Sequence, residues 1–542
     1  MTGRSSGNPR LVRDAALDMM RRHELTTIFA NPGSTEIPFL SGLPDDFEFV
    51  LGLHESAVVG MAMGYALGRE KPALALLHTT AGLGNAVATL ATARVNRAPL
   101  VVVVGQQDRR HLSLEPFLAG QLEGLAGEYP VSFEQPAVAA DVPGAIGRAA
   151  HVAVTGRGPA IVVVPMDDWL EPYEGAAEEA AATRVLRSTA VVPSDVAELA
   201  ELIAQSESPA IVAGAGAGYT SAWRPLVALA EHLSCPVWQD AFTARAGFPQ
   251  DHPLFRGFLP AGRARLRETL AAHDLVFAVG APIFRQYGYE PGPLVNPGTR
   301  LALVTDEPAE AHRSPADLAL LASPGCVCEL LVEELPARTA APPPPPSRRL
   351  ADLEPPADGE PLRAGHVLQA LGERLASDVV LIEESPSSRP ELQRRIQARE
   401  PLGFLSSAMG TLGVAMPTAV GMRMALPERP VVTVLGDGAS LYTIQALWSA
   451  KHYRAGALFI VMSNGRYAVM DRLSEVQGSS AVWPAFDLDI SAIGRGFGCE
   501  SRRIEDYDTL IATLDEVLPT LSSRQEPLLL EMVVARGGEI EP

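Results

Sequence analysis

An apolar strand, Val431-Val432-Thr433-Val434-Leu435, runs directly into Gly436-Asp437-Gly438, and a second, Leu458-Phe459-Ile460-Val461-Met462, delivers Asn464-Gly465. The segment Leu441–Tyr453 between them reads as a helix, so the whole is one βαβ unit. Parallel strands joined this way demand a sheet covered by helices. They also set a carboxylate and an amide side by side at the carboxyl rim, where open α/β sheets bind ligands. The glycines let the backbone come close to a phosphate. Two hard oxygen donors suit Mg²⁺, which completes its octahedron with phosphate oxygens and water. Gly-Asp-Gly alone is a common turn; strands on both sides and Asn-Gly at this separation favour the binding reading.

The same βα rhythm occurs in three stretches. The first has strands near Thr27–Phe29, Phe47–Leu53, Ala73–Leu77, Leu100–Val104 and Ala160–Val164; the second near Ala210–Ala213, Leu275–Val279 and Leu301–Val304. The third has Val379–Ile382, Val431–Leu435, Leu458–Met462 and Leu528–Val533. At 542 residues the chain exceeds one ordinary core. The expected fold class is therefore α/β, with three doubly wound parallel-sheet domains at residues 1–182, 190–338 and 361–542. Residues 339–360, with five consecutive prolines at Pro342–Pro346, read as a stiff linker. The first and third stretches look architecturally alike.

Lys and Arg number 44 against 64 Asp and Glu, a formal charge of −20, and no basic stripe stands out, so a nucleic-acid partner is not expected. A local cationic site can still receive a small anionic substrate. Cys235, Cys326, Cys328 and Cys499 lack metal-ligand spacing and read as reduced thiols of a cytoplasmic protein. The start of the chain is polar and no apolar run approaches the length of a membrane span, so neither signal peptide nor membrane association is expected.

In the first domain, three strands deliver chemistry-bearing residues to one rim. Phe29-Ala30 leads to Ser34, the strand ending at Leu53 to Glu55, and Leu76-Leu77 to His78. Singly, Ser34 reads as a helix cap, Glu55 as a first-turn acid favoured by the helix dipole, and His78 as a satisfied core histidine. Their joint placement favours a site without naming a reaction.

Ordered blocks along nearly the whole chain supply one: NPGSTEIPFL, LHESAVVGMAMGYA, LHTTAGLGNA, VVVVGQQDRR, VFAVGAPIFRQYGYEPG, MGTLGVAMPTAVG, GDGASLYTIQALW and MSNGRY. With them the chain resembles the thiamine diphosphate (ThDP)-dependent 2-oxo acid decarboxylases, benzoylformate decarboxylase above all. The resemblance implies that Glu55 contacts N1′ of the cofactor's aminopyrimidine and stabilises the tautomer whose 4′-nitrogen removes the thiazolium C2 proton. It assigns Leu412 as the aliphatic wedge that bends the cofactor and the Gly410 carbonyl as acceptor for its 4′-amino group. Taken singly, Leu412 is an ordinary core leucine. Around the diphosphate the resemblance implies Gly436, Asp437, Gly438, Ala439, Ser440, Asn464 and Tyr467, with Mg²⁺ (or Ca²⁺) held by Asp437, Asn464 and the carbonyl of Arg466. Ser34 matches the contact to the substrate carboxylate and His78 a proton donor and acceptor. Phe117, Leu118, Val469, Met470 and Leu473 match the wall of the substrate cavity, or are plain core; an apolar wall suits a bulky, aromatic 2-oxo acid that loses CO₂ to leave an aldehyde.

Three departures qualify the match. Ala439 stands where the family often has serine, leaving Ser440 to take over a diphosphate contact. Pro386 replaces a hydroxyl residue and leaves Ser385 and Ser387 as candidates. Tyr287 stands where benzoylformate decarboxylases carry a second histidine, and a phenol near pKa 10 shuttles protons at neutral pH less readily than an imidazole near 6.5. Slower proton delivery would lengthen the time for carboligation. Arg109-Arg110-His111 lacks the adjacent histidine pair of pyruvate and indolepyruvate decarboxylases.

In the family, Glu55 and Ser34 would come from one subunit and the diphosphate site from another, which implies a homodimer at minimum and points to a homotetramer. The rival readings are a carboligase or lyase of the acetolactate synthase or benzaldehyde lyase type, and a non-catalytic cofactor-binding relative. Gly214-Ala215-Gly216-Ala217-Gly218 invites a dinucleotide reading but lacks the third-glycine spacing, and reads as a tight βα turn; FAD is not excluded there. Asp167-Asp168 reads as a solvated loop.

Overall fold

Residues 9–175, 182, 184–185, 190–338, 352–357, 359–479, 483–485 and 488–536 are described by the computed structural model. The proline run at Pro342–Pro346 lies outside them. The first sheet comprises β1 (Thr27–Asn31), β2 (Glu48–Leu51), β3 (Ala73–Leu77), β4 (Leu100–Gln106), β5 (Ser132–Glu134) and β6 (Pro159–Pro165), in spatial order β2-β1-β3-β4-β6-β5. The second comprises β7 (Pro209–Ala213), β8 (Val237–Gln239), β9 (Phe255–Phe258), β10 (Leu275–Val279), β11 (Arg300–Thr305) and β12 (Leu318–Leu321), ordered β12-β11-β10-β7-β8-β9. The third comprises β13 (Val380–Glu384), β14 (Leu405–Ser406), β15 (Val431–Gly436), β16 (Leu458–Ser463), β17 (Glu500–Ile504) and β18 (Leu528–Val533), ordered β14-β13-β15-β16-β18-β17. Pairing along β3–β4, β10–β11 and β15–β16 is parallel, and the central strands are buried Val-, Ile- and Leu-rich runs, as sheets covered on both faces require.

The first and third sheets have the same topology, strand for strand. Each edge-strand connection ends in a helix that packs on its counterpart: Glu55–Arg69 follows β2 and Ala415–Ala425 follows β14. Glycines let the two backbones touch. A Cβ added at Gly64 would lie 2.0 Å from the Thr418 carbonyl oxygen, and one at Gly421 would lie 1.8 Å from that of Met61. Beside this seam, Tyr453 and Ser449 of the third domain bond the Leu51 amide and carbonyl at 2.7 and 2.8 Å. One hydrophobic cluster accordingly runs from Phe29 and Val50 through Met61 to Val420 and Val461.

The middle sheet is fastened to the first by charge. Arg94, Arg97 and Arg157 of the first domain reach Glu307, Asp306 and Glu310 just beyond β11, with Arg97 and Asp306 both buried. The glycine-rich segment after β7 forms the buried turn Ala215–Gly218, closed by Gly280 and Ala281, in keeping with a βα turn. Two expectations need correction. Asp168 is not solvated: it is 1% exposed and takes both Nε and Nη2 of Arg109 at 2.7 Å. Burial pushes its carboxyl up, and Arg109 pulls it back. The segment after Gly-Asp-Gly is not one helix over Leu441–Tyr453 but a single turn, Asp437–Ser440, then turns, then the helix Ala446–His452.

Candidate active site

The rim of the first sheet carries an acid, an imidazole and a hydroxyl. Glu55 opens the helix Glu55–Arg69 and is 7% exposed. Asn31, the last residue of β1, donates to its Oε1 at 2.9 Å, and Asn85 donates to its Oε2 at 3.0 Å. Two neutral donors fix the carboxylate without neutralising it, and each oxygen keeps a free lone pair. His78 is wedged beside Gly33, where an added Cβ would lie 2.5 Å from the ring. Its Nδ1 lies 3.0 Å from Glu36 Oε2 and 2.9 Å from Thr35 Oγ1. Thr35 gives its own proton to Glu36, so both oxygens accept from Nδ1–H. That places the proton on Nδ1 and leaves Nε2, which has no partner among the described residues, to exchange one. Glu36 also takes the Gly33 amide at 2.7 Å and is 1% exposed. Ser34, in the turn between them, is exposed; the cap of the next short helix is Glu36, not Ser34.

At the corresponding rim of the third sheet, the fittings suit an anion and a cation. Asp437 is 5% exposed and accepts from the amides of Gly438 and Gly465, both at 2.7 Å. The second bond ties the end of β15 to the end of β16. Burial pushes the Asp437 carboxyl up from its ordinary value, and these amides oppose the shift. Asn464 Oδ1 accepts from the Arg466 amide at 2.9 Å, and the Arg466 side chain is turned away to Asp471 at 2.9 Å. Among the described residues no cluster of three or more His, Cys, Asp or Glu is built to hold a metal. A set of one carboxylate, one amide and one carbonyl fits Mg²⁺ only when a ligand supplies phosphate oxygens. The surroundings fit such a ligand: a Cβ at Gly436 or Gly410 would stand in open space, and the buried Ser385 Oγ has no partner among the described residues. Ser387 is half-buried, and Ala439 is buried in the single turn. Ser440 gives its proton to the Asp437 carbonyl at 2.6 Å, so it has none left to donate to a diphosphate. Tyr467 is 38% exposed and heads the next helix.

Leu412 is half-buried rather than a core leucine. It sits between Gly410 and Gly413, both with positive φ (70° and 83°). Glu384, at the end of β13, grips this segment by accepting from the amides of Gly413, Val414 and Ala415. Burial raises its pKa to about 7 against the pull of those three amides. Its neighbour Glu383 binds Ser385 N, Arg389 and Ser406.

Beside this rim a cavity of about 1390 Å³ opens between the middle and third sheets, lined by Phe242, Arg285, Tyr287, Pro386, Arg389, Gly410, Val469 and Leu473 among others. Tyr287 is 62% exposed and lies 6.4 Å, ring to ring, from Phe242. Met470 does not line it, nor do Phe117 and Leu118, which lie on a first-domain loop with Phe117 87% exposed. Ser34, Glu55 and His78 are also absent from its wall. The candidates thus form two groups within one chain.

Glu36, Asn31, Asn85, Glu383, Glu384 and Phe242 were not anticipated. The signal for the acids was available: Glu383-Glu384 ends an apolar strand, and Glu36 follows Asn31-Pro32-Gly33, where an unpaired buried carboxylate is costly.

Comparison with known proteins identifies the family. The thiamine pyrophosphate enzyme family matches in three parts: the N-terminal TPP binding domain over residues 10–126, the central domain over 196–331 and the C-terminal TPP binding domain over 388–532. A benzoylformate decarboxylase of Pseudomonas aeruginosa is 37% identical over 96% of this chain and 98% of its own. A putative acetolactate synthase large subunit of Mycobacterium tuberculosis is 29% identical over 93% of this chain and 95% of its own. Among solved structures, the thiamine diphosphate-dependent 4-hydroxybenzoylformate decarboxylase of Rhodococcus jostii superposes with a TM-score of 0.92 at 33% identity, covering 97% of this chain and all of its own. Fold, rims and matched domains together make the chain a member of the thiamine diphosphate-dependent 2-oxo acid decarboxylase family.

Proposed function

We propose that this enzyme removes CO₂ from a bulky 2-oxo acid, with an aromatic acid of the benzoylformate kind as the first candidate, and releases an aldehyde. His78 carries the reading: an imidazole held through Nδ1 by Glu36 and Thr35, with Nε2 open, is a proton carrier that a pure carboligase does not need. Relatives named for benzoylformate and 4-hydroxybenzoylformate support the aromatic substrate.

When bound, thiamine diphosphate supplies the electron sink for loss of CO₂. The residues of this chain bind, orient and move protons. Asp437, Asn464 and the Arg466 carbonyl would hold Mg²⁺ against the diphosphate, with Ser385 and Ser387 as further contacts. Glu55 would hold the aminopyrimidine through its free lone pairs, and Leu412 would support the bent cofactor. Ser34 would bind the substrate carboxylate, His78 would exchange its proton at Nε2, and Tyr287 would close the cavity side with a weaker proton donor. Phe117 and Leu118 would complete the pocket from the first domain.

The two groups of residues meet, in this reading, across two copies of the chain, as a homodimer or a tetramer of such dimers. Support comes from the exposed apolar side chains of Leu114, Phe117 and Leu118 on the first rim's loop, which a partner would cover. The acetolactate synthase relative and Tyr287 favour carboligation as the second reading.

The test is to incubate the protein with ThDP, Mg²⁺ and benzoylformate and follow CO₂, benzaldehyde and benzoin. Prompt CO₂ with matching benzaldehyde is expected. CO₂ with mainly benzoin moves the assignment to a carboligase, and no CO₂ rejects benzoylformate as substrate.

A further inference from the structure

The cavity beside the third rim holds about 1390 Å³, which includes the room that a cofactor at Gly410 would take. Its wall is more cationic than the chain's charge of −20 leads one to expect. Arg265, Arg285, Arg389 and Arg394 line it against only Asp251 and Glu268.

Two of these arginines come from different domains. Arg285, from the middle domain beyond β10, is held at both ends of its guanidinium, by Asp240 through Nη2 at 3.3 Å and by the Ala408 carbonyl through Nη1 at 3.5 Å. Arg389, from the third domain beyond β13, is held by Glu383 through Nε at 2.8 Å. The two carboxylates are 2% and 0% exposed, and neither lines the cavity. Each guanidinium is therefore anchored from behind while 24% and 22% of the respective side chains stay exposed. Both Nη groups of Arg389 have no partner among the described residues. The Arg389 guanidinium, fixed through Nε, thus keeps a planar fork for a carboxylate, with little left to lose in ordering.

We propose that the cavity accepts 2-oxo acids carrying a second carboxylate at the end remote from the reacting carbonyl, with Arg389 as its receiver and Arg285 adding positive charge to the wall. The inference rests on the decarboxylase reading above. Phe242, Tyr287, Val469 and Leu473 line the space through which the body of such a substrate would pass.

The experiment uses the holoenzyme with matched pairs of acids: benzoylformate against 4-carboxybenzoylformate, and 2-oxooctanoate against 2-oxosuberate. Each diacid is expected to have a kcat/KM at least about tenfold above its partner, mainly through KM, as one charge-assisted contact allows. Arg389→Gln should lower that ratio at least about tenfold and Arg389→Lys less, because lysine keeps the charge without the fork. Arg285→Gln serves as the second variant should loss of the Glu383 partner impair folding. Monoacids turned over as fast as diacids, or a ratio unmoved by both variants in folded protein, would overturn the inference and leave the decarboxylase reading standing. No CO₂ from any of the four acids would overturn both.

Discussion

The first and third sheets are built on one strand order but furnish the same rim differently. After β1, β2 and β3 come Ser34, Glu55 and His78, a hydroxyl, a carboxyl and an imidazole. After β13, β14 and β15 come Ser385, the Gly410–Gly413 bend and Asp437, which bring hydroxyl, open backbone and a metal-type carboxylate. The fold supplies a rim twice, and the loops decide what stands on it. Buried acids are put to the same task on both sides. Glu36 positions an imidazole in the first, and Glu384 positions the bend that carries Leu412 in the third.

If the division of labour is real, mutations on the two rims should fail differently. Glu55→Gln is expected to lower kcat by about 10³-fold, within the range for lost proton-transfer assistance, with ThDP affinity nearly kept. Asp437→Ala should weaken ThDP and Mg²⁺ binding by more than about 100-fold. Calorimetric titration beside steady-state kinetics separates the two, and equal loss of binding in both variants would erase the distinction.

The seam between the two halves should be the most sensitive packing feature. Gly421→Ala forces a Cβ toward the Met61 carbonyl, which would otherwise be 1.8 Å away. A loss of about 3 kcal/mol or more is expected, since backbone must shift, and denaturant melting would measure it. A neutral result would mean that the helix pair is loosely packed.

Glu384 gives the pH dependence. Its pKa is raised on folding from 4.5 to about 7, so the native state keeps a proton that the unfolded chain loses. Stability from this group is therefore full below about pH 4.5 and falls as pH rises through about 7, by roughly 3 kcal/mol. Unfolding curves for wild type and Glu384→Gln at pH 5 and 8 should show a steeper decline in the wild type; parallel declines would count against it. The smallest expected change is at Tyr287. Tyr287→His should raise the ratio of aldehyde to carboligation product several-fold, and an unchanged rate and ratio would show that the phenol does not limit proton delivery.

Much of this was legible in the sequence because the central strands are long apolar runs and the rim motifs sit where those runs end. The strands that escaped notice are mostly sheet edges. Arg502 and Arg503 in β17, the alternating burial of β12 and the two-residue β14 look like loops, because short, charged edges discourage pairing with other chains. At the site, residues attached to glycine turns were readable, but the buried acids behind them were not. Glu36 reads as a surface residue until His78, 42 positions away, is placed on it. The cationic face of the cavity was hidden for the same reason: Arg285 and Arg389 come from different domains and meet only in the fold.

The most direct test of the two-rim account is complementation. Glu55→Gln and Asp437→Ala chains, each inactive, would be unfolded, mixed in equal amounts and refolded with ThDP and Mg²⁺. With each site shared between copies, half the random dimers are mixed and each holds one intact site. Decarboxylation should then return to roughly a quarter of the wild-type rate. A mixture no more active than either variant alone would contradict the account and place both rims' work within a single chain.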